Sequence, residues 1–179
     1  MQRYTVRYLL FTLMMITAPA VYAQTDEAAR IKTRERLGAL LQREGPAINV
    51  SFRQSDKNPF NFIGVLQQGL KNAESMEIVI KVSEKETIGF RIFPHYKGGY
   101  INIGKVRNQT QLLKQLVQFN DKTFLYWGAD ETGDIFTAYT FTLESGFPDE
   151  AIKIVLASIK NSDQFIGELR PAIDGSAGQ

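Results

Sequence analysis

Three acidic side chains surround a glycine in the segment YWGADETGDIFTAYTF, residues 126–141. Asp130, Glu131 and Asp134 are of the types that serve as acid and base in a hydrolase or as oxygen ligands of a cation. A calcium loop of the EF-hand kind needs glycine at its sixth position, whereas Gly133 is the fourth residue counted from Asp130. The spacing therefore does not fit a calcium loop.

The residues on both sides of these acids alternate with a period of two, which is typical of strands. Aspartate and glycine are favoured in the tight turn between two strands, because glycine adopts positive φ freely and aspartate bonds its own backbone. The segment thus predicts a hairpin with strands at about 123–129 and 134–143. Acids at a hairpin tip are solvated and poorly placed to shift their pKa values, which argues against a hydrolase that uses Asp130 and Asp134.

Few other residues of the sequence are of types that serve in catalysis or metal binding. The chain has one histidine, His95, and no cysteine. The missing cysteines exclude disulfides, thiolate nucleophiles, Fe–S clusters and cysteine-type zinc sites. A Ser–His–Asp or zinc site would have to include His95, which has no HExxH-type spacing, so an ordinary and partly exposed histidine is predicted. We predict that the protein is not an enzyme and has no metal site and no cofactor.

Aromatic side chains concentrate in the predicted hairpin. In strands such residues most often form cross-strand pairs in the core, but they also form surfaces that bind a peptide or a ligand. Core packing is the favoured interpretation. The candidate partner-binding surface consists of Tyr126, Trp127, Tyr139 and Phe141.

The first 23 residues have the pattern of a signal peptide. Arg3 and Arg7 form a positive region, Leu9–Ile16 forms an apolar region, and small residues precede Gln24. The alternative is an uncleaved N-terminal anchor, but the apolar run is shorter than the ~20 residues that a membrane span needs. We predict cleavage before Gln24, no stable membrane span after cleavage, and a periplasmic or secreted protein.

Removal of this signal changes the charge balance. The whole chain has 21 basic and 19 acidic side chains, and loss of Arg3 and Arg7 leaves 19 of each. A near-neutral chain with scattered charges argues against a surface that follows nucleic-acid phosphates. No nucleic-acid partner is predicted.

Hydrophobic periodicity predicts an α+β fold with an antiparallel sheet of about five strands flanked by helices. Hairpins dominate the pattern, and no βαβ rhythm occurs. The predicted helices cover 24–44, 58–75, 110–120 and 147–169, and the predicted strands cover 48–53, 76–83, 87–96 and 100–106 in addition to the two hairpin strands.

The first of these helices is locally basic, with Arg30, Lys32, Arg34 and Arg36. Such a run fits either contact with an anionic surface or an ordinary solvated helix face. The solvated face is the favoured interpretation.

The segment LLKQLVQFNDKTFLYWGADETGDIFTAYTFTLESGFPDEAIKIVLASIKNSDQF resembles the YbjN family. Asn120 stands at the last position of an N-x-W-N-like motif of that family, and Asp130–Asp134 stand at its D-x-x-G-D turn. Leu143 and Gly146 match the exit from the second strand. The resemblance is clearest over about 110–166 and extends back to about residue 60.

Three features depart from the family pattern. Val117 stands where the motif has its first asparagine, Phe119 stands where it has tryptophan, and the cysteines of many secreted relatives are absent.

The resemblance implies a type III secretion chaperone-like fold, here with an extra N-terminal helix, and no catalytic residues. It implies a chaperone-like or regulatory protein, such as a proposed sensory-transduction regulator, that binds another protein or itself, often as a dimer. The alternative function is a periplasmic small-ligand or lipid-binding protein. The corresponding division of the chain is a signal peptide at 1–23, a helix and short strand at 24–57, a YbjN-like domain at 58–170 and a flexible tail at 171–179.

Overall fold

A single antiparallel sheet forms one layer of the molecule. The structure, a computed structural model, describes residues 18–85 and 87–175, with side chains from residue 27 onward. The sheet has seven strands in the order β1-β2-β3-β4-β7-β6, and β5 pairs with β4 beside that path. Every pairing among the described strands is antiparallel, which confirms the predicted α+β class, and the sheet has seven strands where about five were predicted. The strands are β1 (Arg53–Gln54), β2 (Asn61–Leu66), β3 (Ser75–Val82), β4 (Thr87–Tyr96), β5 (Gly99–Tyr100), β6 (Tyr126–Ala129) and β7 (Ile135–Thr142).

The two longest central strands follow the period-two pattern of the sequence. On β3 and β4, Ile78, Ile80, Ile88 and Ile92 are each fully buried, while Val79, Gly89 and Arg91, which alternate with the buried residues, are exposed or half-buried. Successive side chains on a strand point to opposite faces, so this alternation assigns one face of the sheet to the core. The predicted strands at 76–83 and 87–96 are confirmed.

In the part of the chain that the structure describes, four helices supply the other layer. Their apolar side chains join those of the sheet in one hydrophobic core. Among the residues that the structure describes, no helix is both long and apolar enough to cross a membrane. The helices are α1 (Ala18–Glu44), α2 (Gln109–Lys122), α3 (Asp149–Ser158) and α4 (Asp163–Asp174).

Helix α1 packs on the domain. Leu37, Leu40 and Leu41 on its core side are at most 1% exposed, and a 3₁₀ turn at Gly45–Ile48 ends it. The prediction of a helix over 24–44 is confirmed. The predicted signal peptide lies largely outside the described residues and stays a prediction.

The basic residues of α1 attach it to the rest of the molecule. The guanidinium of Arg30 lies 3.6 Å from the ring centroid of Phe60 and donates two hydrogen bonds to the carbonyl of Val82. Arg36 pairs with Asp149 at the start of α3. These two arginines therefore form intramolecular contacts that hold α1 to the domain. Neither of the interpretations from the sequence, an anionic contact surface or a solvated helix face, included such contacts.

Two elements before the first long strand were wrongly predicted. Residues 48–53 do not form a strand, because Asn49 takes a left-handed conformation with φ of 58° and only Arg53 and Gln54 pair with β2. Residues 58–75 do not form a helix either.

Strand β2 occupies much of that predicted helix. Its buried residues alternate as Phe62, Gly64 and Leu66. A Cβ on Gly64 would lie only 2.5 Å from Val50 and 2.7 Å from Phe52, so the glycine is required where the preceding segment packs against the strand. The short apolar run was compatible with both structures, and contacts with distant residues decided it.

The third strand of the predicted meander is short. The turn at Lys97–Tyr100 is confirmed, with positive φ at Lys97 and Gly98. Only Gly99 and Tyr100 pair with β4, and a 3₁₀ turn follows at Ile103–Lys105.

The predicted C-terminal helix at 147–169 is divided into two. A 3₁₀ turn at Ile159–Ser162 separates α3 from α4. Helix α4 then continues to Asp174 with Ala172 fully buried, so residues 171–174 are not a flexible tail. Residues 176–179 of that predicted tail lie outside the described residues.

Helix α2 confirms the helix predicted at 110–120, and only part of its apolar residues face inward. Leu112, Leu116 and Phe119 are buried, whereas Leu113 and Val117 are 46% and 71% exposed. Some apolar residues of α2 remain uncovered, so the hydrophobic pattern alone did not identify which of them are buried.

Candidate partner-binding surface

The acidic segment forms the predicted turn. The Asp130 backbone N–H donates to the Asp134 carbonyl, and Gly133 has φ of 85°. One carboxylate oxygen of Asp130 accepts hydrogen bonds from the N–H of Thr132, the hydroxyl of Thr132 and the N–H of Asp134. Burial alone would raise the pKa of Asp130, but these hydrogen bonds together hold its pKa below the ordinary value. The carboxylate therefore stabilises the turn.

A second loop holds the same turn in place. The side-chain amide of Asn102 donates to the carboxylate of Asp134 at 2.8 Å and to the carbonyl of Thr132 at 2.9 Å. Within residues 18–85 and 87–175, no three histidine, cysteine or acidic residues are placed to hold a metal ion together. The geometry of Asp130 and Asp134 is that of a structural turn.

His95 lies on the sheet and is half-buried, as predicted for an ordinary histidine. Its ring packs edge-on against Tyr100, with the ring centroids 4.3 Å apart. On the other side it pairs with Ser75 of β3. Its environment is thus aromatic and strand-like.

Two of the four residues in the predicted partner surface are buried. Trp127 is 4% exposed and packs against Phe119 and Phe165, with ring centroids 5.6 and 5.7 Å away. Phe141 is 7% exposed and meets Phe90 edge-on at 5.8 Å. These side chains form the core and are not available to a partner.

The other two residues lie on opposite faces of the sheet. Tyr126 is 45% exposed and pairs with Ala138, whereas Tyr139 is half-buried and packs against Phe124 and Phe141 on the helix side. Since side chains alternate along each strand, Tyr126 and Tyr139 cannot belong to one surface. The four predicted residues therefore do not form a common site.

The face of the sheet opposite the buried isoleucines is uncovered by any described helix, and we call it the open face. A group of aromatic side chains lies on the open face. The sequence analysis did not predict that these residues come together. Phe136 lies at the centre of the group, 5.7 Å from the ring of Phe93 and 6.0 Å from the ring of Tyr126, and Tyr100 lies 5.8 Å from Phe93. Phe93, Tyr100, Tyr126 and Phe136 form the outer aromatic cluster.

The tyrosines of this cluster are accessible. Tyr100 is 42% and Tyr126 is 45% exposed, while Phe136 beneath them is 5% exposed. The guanidinium of Arg91 lies 4.8 Å from the Phe136 ring centroid and covers part of it. The alternation of side chains along β6 and β7 places Tyr126 and Phe136 on the same face of the sheet. Phe93 and Tyr100 join them only because β4 and β5 pair into the same sheet.

Tyr100 is held in place by its hydroxyl, which donates to the carboxylate of Glu77 at 2.9 Å. Burial, followed by this hydrogen bond and the charge of Glu77, raises the pKa of Tyr100 to about 12. The tyrosine therefore remains neutral at physiological pH and presents a fixed ring.

A side chain occupies the free backbone hydrogen-bonding groups at the centre of the edge strand β6. Asn120, at the end of α2, accepts a hydrogen bond from the backbone N–H of Trp127 and donates one to the carbonyl of the same residue. The amide thus replaces a neighbouring strand at this point, which limits pairing of the edge with another chain. Asn120 is the residue that the sequence matched to the family motif, and here its role is structural.

This chain has few matches among known proteins. No family model matches the chain, and no curated protein matches its sequence. Similar solved structures include the following two. The ExsC–ExsE complex contains a chain that is 15% identical, with 76% of this chain and 94% of that chain covered and a TM-score of 0.44.

The second structure is YbjN, a proposed transcription regulator from E. coli. It is 14% identical, with 72% of this chain and 87% of that chain covered and a TM-score of 0.46. Membership of the YbjN family is not shown by these similarities.

Proposed function

We propose that this protein is an exported, non-catalytic polypeptide-binding module, chaperone-like or regulatory, whose partner binds on the open face of the sheet. The observation that carries the proposal is the outer aromatic cluster on a sheet face that no described helix covers. Contiguous exposed apolar surface on a soluble protein marks an interaction site more often than chance.

The composition of the cluster fits a protein partner. Tyrosine and arginine are enriched among the residues that contribute most to protein–protein binding. Tyr100, Tyr126 and Arg91 stand on paired strands, so little conformational entropy is lost when a partner immobilises them. The partner is another protein or a second copy of this chain, and the balanced charge of the mature sequence does not favour nucleic acid.

The alternative of a small ligand held behind the aromatic hairpin receives less support. The rings of Phe119, Trp127 and Phe165 contact one another at 4.6–5.7 Å and fill the space between hairpin and helices. A ligand pocket needs concave volume lined by such rings. Between the hairpin and the helices, the rings pack against one another and do not line a concave volume.

Site-specific photocrosslinking tests the binding face. With benzoylphenylalanine in place of Tyr126, we expect irradiation of the native cells to produce a defined crosslink to a polypeptide, because this ring is exposed within the proposed interface. Mass spectrometry identifies the partner. The additional change Tyr100→Ala should reduce the yield of that crosslink severalfold.

Ile154 on α3 supplies the matched control, since its side chain is 60% exposed but lies in the helix layer. The photoreactive residue at this position should give no crosslink to the same partner. A crosslink from Ile154 without one from Tyr126 would place the interface on the helices and refute the proposal.

Export is tested by N-terminal sequencing of the protein purified from the periplasmic or secreted fraction of its own host. We expect the sequence to begin at Gln24, because the small residues before it suit signal peptidase. Recovery in the cytoplasm with residues 1–23 intact would contradict this part of the proposal.

A further inference from the structure

A glycine of the central strand β4 stands on the open face. Gly89 of β4 pairs with Lys81 of β3 on one side and with Thr140 of β7 on the other. A Cβ at this glycine would meet only the hydroxyl of Thr140, at 3.9 Å. Gly89 is not among the glycines with positive φ, so the backbone does not require glycine here. Its effect is to leave a hollow in the open face.

The hollow is surrounded by hydrogen-bond donors. Lys81 and Thr140 stand beside Gly89 across the sheet, about 5 Å away as cross-strand neighbours do. Thr87 and Arg91 precede and follow it by two positions on its own strand. The four nearest positions on this face thus supply two cations and two hydroxyl groups around a depression of about 390 Å³.

The two cations are not neutralised at close range. Among the described residues, neither Lys81 nor Arg91 has a carboxylate oxygen within 4.0 Å. Arg91 lowers the pKa of Asp130 from a greater distance, and Glu77 on the same face is bonded to Tyr100. The described side chains that line the hollow therefore carry a net positive charge.

An amide side chain stands beside the two cations. Asn61 of β2 pairs with Lys81 and lines the hollow, and its side-chain oxygen is buried with no hydrogen-bond partner in the described part of the chain. The NH₂ group of this amide is the part that can donate a hydrogen bond to an anion.

We infer that the Gly89 hollow binds a carboxylate, and that the group it takes is an aspartate or glutamate side chain of the polypeptide bound on the open face. This identity of the ligand rests on the proposed function. Tyr126 lines the hollow and also belongs to the outer aromatic cluster, so both sites face the same partner. Arginine and lysine bind carboxylates through charge-assisted hydrogen bonds, which are stronger than neutral ones.

The test is an NMR titration of the purified, isotope-labelled protein at low ionic strength, where screening is weak. One arm uses the tripeptide acetyl-Gly-Glu-Gly-amide, and the other arm uses inorganic phosphate. We expect the tripeptide to produce saturable shifts at the amides of Gly89, Arg91 and Thr140. Acetyl-Gly-Gln-Gly-amide, which lacks the charge, should bind at least about tenfold more weakly.

Two variants separate the site from the fold. Gly89→Thr places a side chain in the hollow where the backbone and the neighbouring atoms accept one, so the protein should remain folded while binding is lost. The double variant Lys81→Gln with Arg91→Gln should weaken tripeptide binding about tenfold or more. Lys114→Gln on α2 removes one charge away from the open face and should leave binding unchanged.

Each outcome bears on the inference. Saturable binding of the glutamate tripeptide that is lost in the variants supports it. Saturation by phosphate alone would show an anion site that does not take acidic side chains, and would overturn the assignment. An absence of saturable shifts in both arms would overturn the site itself. Because neither probe requires the natural partner, failure here is distinguishable from failure of the crosslinking experiment.

Discussion

Replacement of Asp163 with alanine is expected to lower the free energy of unfolding by about 3–5 kcal/mol, because it leaves several buried donors without a partner. The Asp163 carboxylate is 6% exposed and accepts hydrogen bonds from the backbone N–H groups of Lys71, Asn72 and Ala73. It therefore joins the loop after β2 to the start of α4.

Chemical denaturation followed by circular dichroism measures this loss. Asp56→Ala is the control, since the Asp56 side chain is 98% exposed and its removal should change stability by less than about 0.5 kcal/mol. Asp163→Asn keeps one oxygen acceptor and should fall between the two. Equal stability of Asp163→Ala and Asp56→Ala would show that the loop does not depend on the carboxylate.

Phe119→Ala is the second change with a large expected effect, a destabilisation of about 3–5 kcal/mol from lost burial and a new cavity. Phe119 is 1% exposed and lies 4.6 Å from the ring of Phe165 and 5.6 Å from that of Trp127. Its removal opens the centre of the packing between α2, α4 and β6.

Trp127 is the only tryptophan of the chain, so its fluorescence reports on this part of the core. We expect a red-shifted emission maximum in Phe119→Ala together with a lower denaturation midpoint. Phe124→Ala is the matched control, because Phe124 is 53% exposed and its loss should cost much less. An unchanged midpoint in Phe119→Ala would contradict the assignment of this cluster to the core.

Much of the candidate surface could not be predicted, because it depends on strand pairing. The sequence located the β6–β7 hairpin and its turn, since Asp130 and Gly133 have local reasons to be there. It did not place Phe93 and Tyr100 beside Phe136, because those rings come from strands more than thirty positions away. The hollow at Gly89 is equally dependent on register, as its lining comes from five strands.

Local ambiguity explains the errors in the fold. The run at 58–75 has apolar residues compatible with both a helix and a strand, and the packing of Val50 and Phe52 over Gly64 favours the strand. On α2, Val117 has the same character as the buried Leu116, yet only one of them faces the sheet. In both cases the deciding contacts involve residues distant in the sequence.

By itself, the sequence determined the α+β class, the long strands β3, β4 and β7, the acidic turn and helix α2, because periodicity and turn chemistry act within a few residues. The tertiary structure alone decided which aromatic side chains enter the core and which stand on the open face. Trp127 and Tyr126 are adjacent in the chain, yet one is buried against Phe165 and the other is exposed beside Phe136. The physical reason is that a face of a sheet becomes core only when helices cover it, and coverage arises from long-range packing.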